Sequence, residues 1–259
     1  ILPDKPNLAH PGSFHYFASY IFLRSYDMPK MTGAQYLAES MKGYGVSHIF
    51  FVPTILSTML AEMDKRKMGI TRVLTHGEKA AAYMADGYAR ASGRPGICMS
   101  QIVGGVNLAA GLRDAWLSCT PLIAFSGGTT PQERYRNAYQ EVEDISAFDP
   151  VTKFNACVDS VDRIPDLLRQ AFRAATSGTP GPVHLRFAGN LGQIEEQELD
   201  SEILVEEQFS RVPPFRPEPE ASHIAQAADI LGAAKKPVII SGGGVRTSGA
   251  GAEIVELAE

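Results

Sequence analysis

The sequence predicts an α/β fold in which a parallel sheet carries helices on both faces, and three observations support this class. Short apolar runs such as HIFFV, GICMS and PLIAF have the length of strands and lack alternation, which is typical of strands buried on both faces. The segments between them place apolar residues at helical spacing. Strand-like and helix-like segments also alternate along the chain, as expected when helices connect parallel strands.

The individual elements begin at Thr32, which can cap a helix that runs to about Tyr44. The predicted strands are residues 48–52, 71–74, 96–100 and 121–125, a segment around Lys153, and residues 181–187. The predicted helices are residues 55–63, a helix whose first turn holds Gly77 and Glu78, and residues 107–117 and 163–175. Further on we expect a helix at 221–231, a strand in KPVIISGGG that enters a glycine turn, and a helix in GAEIVELAE.

The domain organisation follows from composition shifts along the chain. Residues 1–30 form an N-terminal extension, and residues 31–190 form the α/β domain. Residues 191–220 are expected to be a solvated linker, because EEQELDSEILVEE has seven acidic residues and no basic one, and RVPPFRPEPE has four prolines. Residues 221–259 are interpreted as the start of a second, Rossmann-like α/β domain that is truncated or completed by another chain, since one strand cannot bury a sheet of its own.

Composition limits the classes of partner and compartment. The net charge is −5 and the sequence has no basic cluster, which argues against nucleic acid as a partner. No apolar run approaches the length of about 20 residues that a membrane span requires, so we expect no membrane association. The three cysteines are far apart and lack metal-ligand spacing, which favours a reducing, cytoplasmic location.

One acidic residue, Glu78, stands at the head of a stripe of small residues in THGEKAAAYMADGYAR. At 3.6 residues per turn the stripe shares the face of Glu78, and its members are Ala81, Ala82, Ala85 and Ala89. Such a stripe is expected to lie against a sheet or another helix, and burial there raises the pKa of a carboxyl group. The alternative is that Glu78 is a first-turn acid that interacts favourably with the helix dipole.

An ordered set of motifs gives a resemblance to a known family. MTGAQYLAESMKGYGVSHIF, HGEKAAAYMADGYARASGRPG, GGVNLAAGLRDAWLSCTPLIAFSGG, AYQE, PVTKFN, SGTPGPVHLRF and KPVIISGGG occur in that order. The run from Met31 to Glu259 thereby resembles the amino-terminal half of acetolactate-synthase-like thiamine diphosphate enzymes. The resemblance implies that residues 31–190 bind the aminopyrimidine ring of the cofactor. It also implies that Glu78 is the catalytic glutamate that shares a proton with a ring nitrogen.

The resemblance assigns further residues to the site. Pro53, Gly104, Gly105 and Asn107 correspond to positions beside the cofactor, and Gln140, His76 and Thr54 correspond to the substrate side. Each has a structural alternative. Asn107 can be a helix cap and the two glycines can serve a turn. Gln140 can anchor its loop, and His76 can be purely structural.

Two loops depart from the family pattern, and one motif is absent from the sequence. Where the family has Gly-x-Pro-Gly this chain has FVPT, and where it has Ser-Gly-Pro-Gly this chain has QIVG, with Gln101 first. The sequence contains no Gly-Asp-Gly, the motif that in the family begins the diphosphate and Mg²⁺ site. GGGVRTSG resembles a dinucleotide fingerprint but has Thr247 in the last glycine place. The resemblance therefore gives FAD as a further cofactor, with a loop that has lost binding as the alternative.

The resemblance implies a thiamine diphosphate-dependent enzyme that makes or breaks C–C bonds in 2-oxo acids, with acetolactate-type carboligation as the first interpretation. This chain would be its pyrimidine-binding half and inactive alone. A 2-hydroxyacyl-CoA lyase or oxalyl-CoA decarboxylase is an alternative, and so is a non-catalytic pyrimidine-domain subunit. The implied partners are a second copy in a homodimer or homotetramer, a diphosphate-binding domain of another subunit or chain, and a small-molecule substrate. The stripe Ala81, Ala85 and Ala89 is expected to allow close approach between subunits.

Overall fold

A computed structural model describes residues 30–143 and 145–259. Its main feature is a six-stranded sheet in which every pair of neighbours is parallel, with the order β3-β2-β4-β5-β7-β6. These strands are β2 (His48–Phe51), β3 (Thr71–Leu74), β4 (Gly96–Ser100), β5 (Leu122–Gly128), β6 (Phe154–Val158) and β7 (Pro182–Ala188). A separate antiparallel pair joins β1 (Lys30–Thr32) to β8 (Glu198–Asp200). The predicted α/β class is confirmed.

Helices cover both faces of the sheet. They are α1 (Gly33–Gly43), α2 (Ser57–Lys65), α3 (Glu78–Ser92), α4 (Gly105–Gly111), α5 (Arg113–Leu117) and α6 (Ile164–Thr176). One core contains buried side chains of α1, α2 and α6, together with strand residues that face these helices, such as Ile97 and Phe125. The second core lies on the other face, where α3 to α5 pack on Cys98, Leu122 and Ala124. Thr32 begins α1 with a reciprocal capping box to Gln35, as its sequence position predicts.

Several element boundaries differ from the sequence prediction. The helix expected at 107–117 starts two residues earlier and is divided into α4 and α5 near Leu112. β5 continues to Gly128 rather than ending at Phe125, because β7 pairs with it along the whole of that length. The helix expected at 55–63 begins at Ser57, since Leu56 has a left-handed backbone and cannot belong to the first turn.

The segment after β7 is not a solvated linker, and this expectation is wrong for most of residues 191–210. Glu195 is buried although it belongs to the acidic run, and Leu199 and Phe209 join the first core. β8 pairs with β1, so part of the acidic run is a strand. Apolar residues occur between the acidic ones, and their side chains pack against α1 and α6. The acidic composition alone therefore gave the wrong prediction. The domain boundaries themselves stay predictions.

Residues 221–259 form helices only in the described structure. They are α7 (Ala221–Ala233), α8 (Gly243–Ser248) and α9 (Gly251–Ala258). The strand predicted in KPVIISGGG is absent there, and Val238 and Ile240 are exposed. A strand needs a neighbour that satisfies its backbone hydrogen bonds, and residues 221–259 supply none. The glycine turn predicted within GGGVRTSG is instead the start of α8.

Candidate functional site at the carboxyl edge of the sheet

The carboxyl ends of the parallel strands gather the predicted site residues at one edge. Phe51 at the end of β2 lies opposite Leu74 of β3 and Met99 of β4, so the segments that follow these three strands are neighbours. Pro53 and Thr54 follow β2, Glu78 follows β3, and Gly104 follows β4. Ligands of open parallel sheets bind in this position, beyond the carboxyl ends of the strands.

Glu78 is the first residue of α3 and is half-buried. Asn107 of α4 donates a hydrogen bond from Nδ2 to Glu78 Oε2 at 3.3 Å. Gly104 lies against the same carboxylate, because a Cβ atom at position 104 would come within 2.5 Å of Glu78 Oε1. Across residues 30–143 and 145–259, Oε1 has no hydrogen-bond partner. The structure therefore brings together three predicted site residues and leaves one carboxylate oxygen available to a ligand.

The alanine stripe below Glu78 is buried inside the domain. Ala81, Ala82 and Ala85 have no exposed surface, and Ala89 is almost as buried. Gly96 of β4 packs against the backbone of Ala85, and a Cβ on Gly111 would come within 2.6 Å of Ala82 Cβ. The stripe thus lies against both a strand and a helix, as expected. It cannot also be a contact between subunits, and that part of the prediction is wrong.

The loop after β2 has an unusual backbone. Thr54 has φ 68° and Leu56 has φ 46°, both in the left-handed region that disfavours residues with a side chain. Thr54 stands where the resemblance places a glycine, and its backbone has a conformation that glycine favours. Strained residues of this kind persist where the surroundings hold them, which is common at functional sites.

A segment after β7 supplies part of those surroundings, and sequence reasoning missed it. We call residues 189–196 the strap. The carbonyl oxygens of Gly189, Asn190 and Leu191 accept hydrogen bonds in turn from the backbone N–H groups of Gly128, Ile102 and Leu56, at 2.9, 3.1 and 3.0 Å. The strap therefore crosses the ends of β5, β4 and β2. Its sequence signal is a pair of glycines, Gly189 and Gly192, both with positive φ.

Gln140 and His76 are the two remaining polar residues that the resemblance assigns to the site. Gln140 is half-buried with φ 61° and donates from Nε2 to the Tyr139 hydroxyl at 3.2 Å. Glu141 holds the loop by accepting hydrogen bonds from the backbone of Tyr135 and Ala138. His76 is exposed. In the described part of the chain, neither Gln140 nor His76 hydrogen-bonds to Glu78, so their substrate-side roles stay predictions.

A Ser–His–Asn chain lies within the sheet, and its serine and histidine are closed to solvent while Asn155 is half-buried. His184 Nε2 is 2.9 Å from Ser126 Oγ, and His184 Nδ1 is 2.7 Å from Asn155 Oδ1. Phe148 stacks on the imidazole at 3.5 Å, and His184 is wholly buried. Burial, helped by the nearby Arg186 charge, lowers the pKa of His184 to about 3, so the ring is neutral. Without access for a substrate, this chain of hydrogen bonds stabilises the sheet.

The described residues contain neither a candidate metal centre nor a helix that could span a membrane. Among residues 30–143 and 145–259, no three histidine, cysteine or acidic side chains converge in a way that could hold a metal ion. Within the same residues, no helix combines the length and the apolar character needed to cross a bilayer.

The fold and the edge site define an α/β domain built to present a carboxylate beyond the ends of parallel strands. Family comparison agrees with this class. The model of the thiamine pyrophosphate enzyme N-terminal TPP binding domain matches residues 31–148, and that of the central domain of the same enzymes matches residues 224–259. The chain belongs to the thiamine pyrophosphate enzyme family.

Individual relatives are similar over most of the chain. A Methanocaldococcus jannaschii protein described as a probable acetolactate synthase large subunit is 34% identical over 233 residues, which are 88% of this chain and 39% of that protein. The chloroplastic acetolactate synthase of Arabidopsis thaliana is 34% identical over 224 residues, 86% of this chain and 33% of that protein. The chain thus spans between a third and two fifths of the length of these relatives.

A solved structure shares the fold. It is a candidate thiamin diphosphate-dependent enzyme from Mycobacterium smegmatis, with a TM-score of 0.73 and 24% sequence identity. The match covers 88% of this chain and 42% of that one. At this identity the likeness concerns the fold alone.

Proposed function

We propose that this chain is the pyrimidine-binding part of a thiamine diphosphate-dependent enzyme that joins or cleaves C–C bonds in 2-oxo acids, as acetolactate synthases do. The observation that carries the proposal is the Glu78 carboxylate. Asn107 fixes one of its oxygens, and the other lies beside Gly104 and has no hydrogen-bond partner among the described residues. A carboxyl oxygen without a partner can form the hydrogen bond that a nitrogen of the pyrimidine ring needs. The names of the similar relatives support the reaction class.

The residues present fit the pyrimidine ring. Gly104 and Gly105 lack side chains, and at Gly104 a Cβ would occupy the space that the Glu78 carboxylate uses. The absence of a side chain at residue 104 therefore makes room for the carboxylate that would meet the ring. Pro53 and Thr54 would form a wall of the same site, and Gln140 and His76 would face the substrate. When bound, thiamine diphosphate supplies an electron sink for bond changes next to a carbonyl group.

Glu78 would act as the proton carrier of this site. Its Oε1 can donate a proton to a ring nitrogen or accept one from it, while Asn107 Nδ2 holds Oε2 and fixes the orientation of the carboxyl group. Positioned acid–base groups of this kind contribute about 10²–10⁴-fold to rate. The wholly buried face of α3 behind Glu78 keeps water away from one side of the group.

The test is an assay of pyruvate consumption and acetolactate formation, with thiamine diphosphate and Mg²⁺ and with the diphosphate-binding part present. Acetolactate formation that Glu78→Gln abolishes is the expected result. Turnover of an acyl-CoA but not of pyruvate would favour the lyase or decarboxylase alternative. No turnover, with intact binding of the other subunits, would favour a non-catalytic subunit. The FVPT and QIVG departures are the observation behind this last candidate.

Three further expectations belong to this proposal. Mg²⁺ would be held with the diphosphate outside this chain. FAD is an alternative for residues 221–259, where Thr247 occupies the last glycine place and donates from Oγ1 to the Gly244 carbonyl oxygen at 3.1 Å. A cytoplasmic location is supported by three cysteines that are all free thiols.

We also propose self-association into a dimer or tetramer, through a face other than the alanine stripe. The outer sides of α3, α4 and α5 expose apolar side chains: Tyr83, Met84, Val106, Trp116 and Leu117. Large exposed apolar patches mark interaction sites more often than scattered apolar residues do. This face adjoins the Glu78 edge, so a second subunit seated there would lie next to the cofactor.

A further inference from the structure

The two loops that depart from the family pattern share one support. Loop 52–56, which contains Pro53 and Thr54, binds the strap through Leu56 N–H to Leu191 O at 3.0 Å. The QIVG turn, residues 101–104, binds the strap through a hydrogen bond from Ile102 N–H to Asn190 O at 3.1 Å. Both loops would border the cofactor, and adjacent carbonyl groups of the strap hold them.

Glu195, near the end of the strap, closes this arrangement at the start of α2. Its Oε1 accepts a hydrogen bond from Thr58 N–H and its Oε2 accepts one from Met59 N–H, both at 3.1 Å. These N–H groups belong to the first turn of a helix, where no carbonyl within the helix can pair with them. α2 has no side-chain cap of its own, because the preceding residue is Leu56. A distant carboxylate therefore caps the helix.

Close packing fixes the strap in place. A Cβ on Gly192 would come within 2.7 Å of Leu56 Cδ2, and Gly192 also has φ 77°, so only glycine suits this position. On the other side, Gly33 at the start of α1 donates its N–H to Gln197 O at 2.9 Å and has the Glu195 backbone against it. Glu195 itself is 2% exposed. Glu195 is thus confined between the first turns of α1, which its backbone contacts, and of α2, which its carboxyl group caps.

We propose that Glu195 is a positioning residue, and that through the strap it holds loop 52–56 in the strained conformation that presents Pro53 and Thr54 to the cofactor. Residues with a side chain disfavour the left-handed backbone that Thr54 and Leu56 adopt. This conformation therefore needs a restraint from the surrounding structure. The strap and the Glu195 cap are the contacts that flank this strain. The functional half of this inference rests on the proposed function.

The structural half is tested without cofactor, by hydrogen exchange at the Thr58 and Met59 amides. In Glu195→Gln the side-chain nitrogen cannot accept a hydrogen bond, so one of the two amides loses its partner, and in Glu195→Ala both do. A buried amide that loses its hydrogen-bond partner should exchange about ten- to a hundredfold faster. The neighbouring Glu196 is exposed, so Glu196→Gln is the matched control and should exchange like the parent. Unchanged exchange in both Glu195 variants overturns the cap.

The functional half uses the holoenzyme. If Glu195 positions the loop, Glu195→Gln should need about tenfold more thiamine diphosphate for half-maximal activity, while kcat at saturating cofactor falls less than about threefold. Glu195→Asp, which keeps the carboxylate, should recover part of this loss. Faster amide exchange with an unchanged cofactor requirement would overturn the positioning role. Absence of cofactor-dependent activity in the parent as well would sink the proposed function but leave the exchange result standing.

Discussion

Glu78 and Gly104 are in direct contact across the site, although 26 positions separate them in the sequence: a Cβ at position 104 would come within 2.5 Å of Glu78 Oε1 and 2.6 Å of its Cγ. The glycine is the reason that the carboxylate can occupy its position between α3 and the turn before α4. A carboxylate at the head of a buried alanine face and a glycine opposite it form one unit, and substitutions at either residue test that unit.

Gly104→Ala should displace the Glu78 carboxylate without unfolding the domain. The added methyl group meets a side chain that can rotate away, so we expect a loss of stability of about 1 kcal/mol, in the lower range for an overpacked site. Activity of the holoenzyme should fall at least about tenfold. Thermal unfolding and turnover are measured together. Gly232→Ala in α7, where an added Cβ meets nothing within 4 Å, is the control and should lower neither; full activity in Gly104→Ala would contradict the contact.

Glu78→Gln should remove most proton transfer and leave the fold intact. Glutamine has nearly the same shape, so the packing on Ala81 and Ala82 survives, but the amide does not exchange a proton with a ring nitrogen. We expect proton exchange at the thiazolium carbon of bound thiamine diphosphate to slow by about 10²–10⁴-fold. NMR of quenched samples measures this step without knowledge of the substrate. Exchange as fast as in the parent would mean that Glu78 is only a first-turn acid.

Self-association should involve Trp116, which is 40% exposed and is the single tryptophan of the sequence. Its fluorescence should therefore shift to the blue as protein concentration rises. Trp116→Lys should weaken association at least about tenfold, since a tryptophan at an interface is commonly worth 2 kcal/mol or more. Analytical ultracentrifugation gives the mass. Leu204→Lys, a change at another exposed apolar residue, should associate normally. A folded monomer at micromolar concentration would contradict this prediction.

The stability of the domain should fall as pH rises from about 5 to 8, and Glu195 should contribute to that fall. Burial raises the pKa of Glu195 to about 8 from 4.5, against the opposing effect of the Thr58 and Met59 N–H donors. Between these two values the folded chain binds a proton that the unfolded chain has released. This contribution is complete below pH 4.5 and is lost as pH rises through 8. The slope for one group is at most about 1.4 kcal/mol per pH unit.

Urea unfolding of the parent, Glu195→Gln and Glu196→Gln at several pH values measures this contribution. The free energy of unfolding should depend less steeply on pH in Glu195→Gln than in the parent, because glutamine does not titrate. Glu196→Gln should follow the parent closely. Parallel curves for the parent and Glu195→Gln would show that Glu195 does not bind a proton on folding.

The 259-residue chain by itself should bind thiamine diphosphate no more tightly than about millimolar, the weak end of the affinity scale. Its sequence has no Gly-Asp-Gly motif, and the pyrimidine ring alone makes few contacts. Calorimetric titration in the presence of Mg²⁺ is the measurement. Micromolar affinity would mean that this chain holds the diphosphate as well. It would overturn the proposal that the diphosphate is held outside this chain.

Local patterns in the sequence determined the main sheet, the helix start at Thr32 and the grouping of Glu78, Gly104 and Asn107. Buried parallel strands are read from short apolar runs, because both faces of each strand exclude polar residues. Residues that follow neighbouring parallel strands must meet at one edge, so the site could be predicted once the strands were placed. The burial of Ala81 and Ala85 was predictable from helical periodicity, because small apolar residues on one face of a helix indicate close packing.

Tertiary structure alone decided the features that depend on distant backbone. The strap could not be predicted, because its bonds to Ile102 and Leu56 come from carbonyl groups, which every residue has and no sequence pattern marks. The acidic neighbours of Glu195 predict a solvent-exposed side chain, yet its carboxyl group accepts hydrogen bonds from the unpaired N–H groups at the start of α2. Only the packed chain brings these groups together. The strand expected in KPVIISGGG has the right local pattern, but strands form by pairing, and residues 221–259 contain no partner in the described structure.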